Sequence, residues 1–537
     1  MGPRPAGRAR AVLLIAAAVL VVAMVVVMVV ARAGDDGPAA PLPTTLPVGG
    51  TLRMGVVAPS FPVDPATAVV TDPAAAMLGD LLWARLTATD ATTSAPVPDL
   101  AESWEASADL TQFTFHLRAD ATFSDGTPVT SPDVAASLTR VAALGGASLA
   151  GQRLSTVQGY AAAASGSLSG ITTPSASTVV IQLTEPVADL PSLLSAPAFG
   201  VLPAAVARGE RAALPGATSG PYAVESQDAG VMVLRRSLGT PVEVARPDVV
   251  EVRRYDSERA AADAFDGGSL DLVPLAVDEV NELVTPGVGV VRVSPAAALW
   301  WVAADTTDPA LSSTELRRSL AHAADRGAIV TADLPGRRLL DGLIPPQVPG
   351  GSDDACAAAC APDPAATAAA VVAGFPSGLP TLLLDTPESP EPSAAVGAFG
   401  SALGSAGLPP TIRSRPVSEY RGEVLSRDHQ LFWFGWVGVA ATPEAYLPPL
   451  YLSGSPDDVT GLAVPEVDAA IRRARATADP VDRAARWAEA EKLVLDLMPV
   501  VPLAQAQNAV ALSSPVQGFV QRLDGTFAID RIWLAAP

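Results

Sequence analysis

The stretch FTFHLRADATFSDGTPVTSPDVAASL runs from Phe113 to Leu138 and carries three signals in order. Phe113, Phe115 and Leu117 fall on alternate positions, the period of a strand with one buried face. Asp125-Gly126 is a turn pair, because glycine takes the positive φ that tight turns need. Ser131-Pro132-Asp133 supplies a cap and an early proline ahead of Val134–Leu144, which starts a helix.

Outward from this segment the same alternation continues. Leu52, Met54 and Val56 read as a strand, as do Thr178–Leu183, Val231–Arg236, Val249–Tyr255, Thr381–Asp385, Leu431–Trp436 and Asn508–Leu512. Ser312 and Glu315 have capping-box spacing before Leu316–Asp325. Asp363-Pro364 and Asp479-Pro480 open two further helices, the first ended by Gly374 and the second running to about Met498. Interleaved strands and helices without an internal repeat indicate an α/β or α+β chain of several domains.

The chain has 537 residues, with 35 Lys+Arg against 56 Asp+Glu and a net charge of −21. That acidity excludes a nucleic-acid binder, which needs a basic footprint. Two cysteines are too few for a disulfide scaffold or a four-cysteine zinc module. With 51 prolines and 43 glycines, turns should be many and elements short. Lys492 is the only lysine, which reflects coding bias rather than chemistry.

Residues 11–31 carry no charged side chain and lie between Arg10 and Arg32. Their 21 residues give a helix about 31 Å long, which matches the hydrocarbon core of a bilayer. Arg4, Arg8 and Arg10 precede the span, so the tip 1–10 should stay in the cytoplasm and the body outside. The span is expected as a single-pass anchor; cleavage near Ala33, after an A-x-A pattern, is the alternative. Lipid attachment is not expected, since the first cysteine is Cys356. Residues 34–50 read as a Pro/Gly linker. Residues 1–49 hold four of the basic and two of the acidic side chains, so the exported body carries −23.

As a string, Pro98–Glu105 (PDLAESWE) followed by Phe113–Leu138 resembles the signature of the family 5, peptide/nickel-type, extracellular solute-binding proteins of ABC importers. Val63-Asp64-Pro65, Ser219-Gly220-Pro221-Tyr222, Leu316–Arg326, Asp363–Gly374, Val467-Asp468 with Asp482-Arg483, and Pro499–Leu503 resemble further family motifs in the same order. The resemblance covers about residues 50 to 520. It implies a two-lobed periplasmic-binding-protein-like clamshell of class II type, with an additional third domain. Lobe I is expected from 50–88, 171–298 and 505–537, the extra domain from 89–170, and lobe II from 299–504. It also implies a small-molecule or peptide-like ligand between the lobes, a membrane permease as partner, and a monomer without cofactor or metal.

The resemblance places Gly435–Pro443 (GWVGVAATP) at the lobe interface. There the family's peptide-binding members carry an aspartate that meets the ligand's α-ammonium. Val439 and Thr442 stand at the two acidic positions. A valine cannot neutralise a buried ammonium, and an unpaired buried charge costs several kcal/mol. The ligand is therefore expected to be neutral, anionic or N-blocked, or cationic and paired elsewhere. Aromatic residues concentrate here: Phe432, Trp433, Phe434, Trp436, Tyr446 and Tyr451, with Trp300-Trp301 near the expected crossing. Alternation puts Phe432, Phe434 and Trp436 on one face and Trp433 on the other. Trp436, Trp433, Trp301, Tyr446 and Val439 are the candidate ligand-binding residues, with core packing as the competing role for the aromatic ones.

Cys356 and Cys360 are a disulfide candidate in an oxidising compartment, expected on a surface loop; free thiols or an intermolecular bridge are the alternatives. His116, His322 and His429 lie in three separate elements and do not make a metal site. No G-x-S-x-G, H-E-x-x-H, C-x-x-C or Walker A pattern is present, so no enzyme is expected. A membrane-tethered sensor or envelope protein with the same fold is the alternative to a transport receptor.

Overall fold

Two long antiparallel strands, Val290–Ala304 and Val500–Leu512, organise the molecule. They pair from Val290 with Leu512 to Ala303 with Val500, with register shifts between Pro295 and Leu299 and between Trp300 and Trp301. We call them the first and second hinge strands. The structure is a computed structural model that describes residues 47–67, 72–210, 215–238, 246–375 and 381–535. The expected anchor 11–31 and most of the linker lie outside the described residues. Among the described residues no helix is long and apolar enough to cross a membrane.

The pair lies inside one sheet, which continues on one side through Leu272–Leu275, Thr51–Val57, Val249–Tyr255, Val231–Arg236 and Tyr222–Gln227. On the other side it continues through Leu431–Val437, Leu383–Pro387 and Thr411–Arg415. Leu52, Met54 and Val56 are fully buried with Val250, Val252, Met232 and Leu234 on one face of lobe I. Val273, Ala509 and Ala511 pack with Phe265 on the other. The alternation read from sequence is thus the alternation of two separate cores across one sheet.

The Phe113–Leu138 segment forms a strand, Gln112–Leu117, and a helix, Ser131–Ala143. Phe113, Phe115 and Leu117 are buried. The cap sits one residue earlier than expected: Thr130 is the N-cap, its backbone nitrogen donating to the Asp133 carboxylate at 2.8 Å. A similar shift occurs at the helix Thr314–His322, which Ser313 caps rather than Ser312. Asp363 and Asp479 cap their helices as read.

A separate four-stranded sheet forms beside the large one. Ile171–Ser175 and Thr178–Gln182, expected in lobe I, pair into one sheet with Ala101–Ala106 and Gln112–Leu117. Val179 and Ile181 share the buried face of Phe113 and Phe115, so this sheet draws in strands beyond residue 170. Chain order alone cannot show this, because the pairing joins residues about 65 positions apart.

Motif residues act as fasteners. Arg326, buried, donates to the carbonyls of Leu340 at 3.1 Å and Pro502 at 3.0 Å, tying helix and loop to the second hinge strand. Trp83 donates its indole N–H to the Val63 carbonyl at 2.8 Å. Cys356 is bonded to Cys360, and both are buried rather than at the surface. The Cys356 N–H donates to the Asp341 carbonyl, which holds this loop against the chain beside Arg326.

Candidate ligand cleft

The ladder between the hinge strands breaks at Ala296–Ala298. Pro295 has no N–H to give, and the Gln505 amide fills the gap by donating to the Ala296 carbonyl at 2.9 Å. A cavity of about 350 Å³ opens at this break. Its floor is Ala296–Ala298 and Ala506–Ala509; Glu258, Leu275–Asp278 and Asp524 line one part of the wall, and Trp300, Arg337 and Val437 another. Such a volume is at the small end for organic-ligand pockets.

The Trp300 ring packs against Gly435 of the neighbouring strand. A Cβ there would come within 2.9 Å of the Trp300 ring. The Arg337 guanidinium stands 4.9 Å from the same ring. Arg337 also pairs with Glu391 at 3.0 Å, so its charge is already met within lobe II. The Trp300 indole nitrogen has no hydrogen bond among the described residues, and the Asn508 amide nitrogen is buried without a partner. Both are donors left free at the hinge.

The five residues singled out from sequence are all buried, and none lines this cavity. Trp301 is 1 % exposed and packs 5.8 Å from the Phe434 ring. Trp433 is buried in the same core. Trp436 donates its N–H to the Ala445 carbonyl at 2.8 Å, with Arg153 at 5.7 Å over its ring. Val439 is 2 % exposed. Tyr446 donates to the carbonyl of Ala297, a floor residue, at 3.3 Å, and burial pushes its phenol up. The stretch 435–446 therefore stands directly behind the cavity wall. Its one carboxylate, Glu444, is consumed by Arg475, whose Nε donates to it at 2.9 Å.

Sequence reading missed Trp300, Arg337, Asn508 and Asp524. The available signal was the Trp300-Trp301 pair. Adjacent strand residues point to opposite faces, so when Trp301 enters the core Trp300 must leave it.

A mixed α/β molecule with a small cavity at the break between its two longest strands has the architecture of a solute-binding protein. Residues 95–458 match the family model of the bacterial extracellular solute-binding proteins, family 5, middle region, and the chain belongs to that family. Its members bind solutes and are not enzymes. The chain is 27 % identical over 435 residues to a probable D,D-dipeptide-binding periplasmic protein of Escherichia coli, covering 79 % of this chain and 81 % of the relative. It is 28 % identical over 138 residues to di/tripeptide-binding protein 4 of Pseudomonas aeruginosa, covering 25 % and 26 %. Among solved structures, a periplasmic murein tripeptide-binding protein in its unliganded open form superposes with a TM-score of 0.78 at 20 % identity, covering 92 % of this chain and 99 % of the other. A clavulanic acid biosynthesis oligopeptide-binding protein gives 0.76 at 23 %, covering 91 % and 96 %. These superpositions establish the shared fold.

Proposed function

We propose that this protein is the extracytoplasmic receptor of an ABC importer, capturing a small peptide-like solute in the hinge cavity. The observation that carries this reading is the cavity itself, lined from both lobes at the break in the hinge ladder. A ligand touching both walls favours the closed arrangement by its differential contacts, and closure forms the surface a permease reads. The relatives named for dipeptides and tripeptides support the solute class, and the cavity's size favours two or three residues over a long peptide.

In this reading Trp300 and Arg337 form one ligand wall. Trp436, Trp433, Trp301, Tyr446 and Val439 make the packed layer that holds that wall in place. The apolar span 11–31 tethers the receptor as a monomer to the outer face of the cell membrane. Native mass spectrometry of the purified protein tests the reading: a co-purifying peptide-like solute supports it, and a bound solute of another class refutes the assigned ligand.

A second reading keeps the fold and ligand but not the transport. The membrane-length span and the valine at position 439 favour a tethered sensor. Uptake of the identified solute by cells with and without the gene separates the two.

A further inference from the structure

We propose that Asp524 is the carboxylate that receives a positively charged end of the ligand in the hinge cavity. This rests on the receptor reading above and adds the charge of the ligand and the residue that selects it.

The cavity wall holds three carboxylates, Glu258, Asp278 and Asp524, against one guanidinium, Arg337. Arg337 is committed to Glu391. Among the described residues none of the three carboxylates has a cationic side chain in ion-pair contact. The cavity therefore carries surplus negative charge, and its ligand must bring the complement.

Of the three, Asp524 is the most enclosed, at 8 % exposure. Its Oδ1 accepts from the Thr526 N–H at 3.1 Å and the Thr526 hydroxyl at 2.7 Å. Its Oδ2 accepts no hydrogen bond among the described residues. Glu258, by contrast, is turned to the Ala276 N–H at 2.8 Å, and Asp278 stands in the contact between the lobes at Gly336. Water screens a charge least where it is most enclosed, so a cation gains most beside Asp524.

Position also matters. Asp524 comes from lobe I, and its charge is felt at the Tyr446 hydroxyl, in the very stretch where Val439 offers none. Two arginines stand near Asp524, Arg85 and Arg522, the latter donating to the Thr526 hydroxyl at 3.2 Å; both pair with Asp80, at 2.7 and 3.2 Å, and neither with Asp524. Asp524 thus lines the cavity whose floor residue Ala297 accepts from the Tyr446 hydroxyl. Binding of a cationic end then draws lobe I toward lobe II.

The test uses the full-length protein in detergent micelles. Four probes are offered in native mass spectrometry: a mixture of unblocked dipeptides, the same mixture N-acetylated, a panel of simple primary amines, and their acetamides. The expected result is capture of unblocked dipeptides but not of the acetylated ones. Asp524→Asn should lower that capture about tenfold or more, while Asp524→Glu keeps it. Equal melting temperatures of Asp524→Asn and wild type exclude misfolding. Capture of amines but not acetamides, without any peptide, upholds the charge assignment and removes the peptide reading. Equal capture of acetylated and unblocked probes, full affinity in Asp524→Asn, or capture of no amine-bearing probe overturns the assignment; acetylated dipeptides bound alone overturn it while leaving the receptor reading intact.

Discussion

Gly336 meets Asp278 so closely that a Cβ on Gly336 would lie 2.9 Å from the Asp278 backbone nitrogen. The same atom would lie 3.0 Å from the Val277 side chain, and the Gly336 φ of +70° disfavours any side chain. The Gly336 and Val277-Asp278 segments therefore touch closely, next to Arg337 and the cavity.

A side chain at this point should act as a wedge. Gly336→Leu is expected to hold the lobes apart, raising the radius of gyration in small-angle scattering and weakening ligand capture at least tenfold. Unchanged scattering with unchanged capture would show that the contact does not govern closure.

Trp300 and Trp301 should separate function from stability. Trp301→Ala removes a fully buried indole and should cost about 3–5 kcal/mol in denaturant unfolding. Trp300→Ala removes a cavity wall and should leave the denaturation midpoint nearly in place while reducing ligand capture. The reverse pattern would exchange their roles.

Glu491 gives a pH signature. It is 1 % exposed, its Oε1 accepts from the Ile344 N–H at 2.8 Å and from the Leu343 N–H, and burial pushes its carboxyl up to about 7. In the unfolded chain it titrates near 4.3. Between these values the folded state binds more protons, so its contribution is full below about pH 4.3 and is lost as pH rises through about 7. Wild type should therefore lose on the order of 3 kcal/mol relative to Glu491→Gln between pH 4.5 and 8. Parallel pH profiles of the two proteins in chemical denaturation would refute this.

The Cys356–Cys360 bridge closes a very short loop. Loop-closure entropy alone then predicts a loss of about 2 kcal/mol when both cysteines become serine. Both sulfurs are buried, so mild reductant should leave them oxidised in the folded protein. Rapid labelling of native protein by a thiol reagent after mild reduction would contradict this.

Much of the fold was legible because its signals are local. Leu52, Met54 and Val56 alternate in sequence because a strand alternates in space, and Asp363-Pro364 caps a helix through atoms two or three residues away. The ordered motifs carried the family for the same reason: each is a short run of residues. The pairing of Thr178–Gln182 with Gln112–Leu117 was not legible, since no local signal distinguishes one partner strand from another.

The site divided along the same line. The sequence by itself determined the α/β class, the family, the net negative charge and the membrane-length apolar segment. Only the tertiary structure decided that Trp300 rather than Trp301 meets the cavity, that Arg337 is already neutralised by Glu391, and that Asp524 lines the same cavity from a distant part of the chain. Composition and short motifs record what each segment can do alone. A cleft is made of side chains brought together from segments hundreds of residues apart, and their charges acquire meaning only once the chain has placed them side by side.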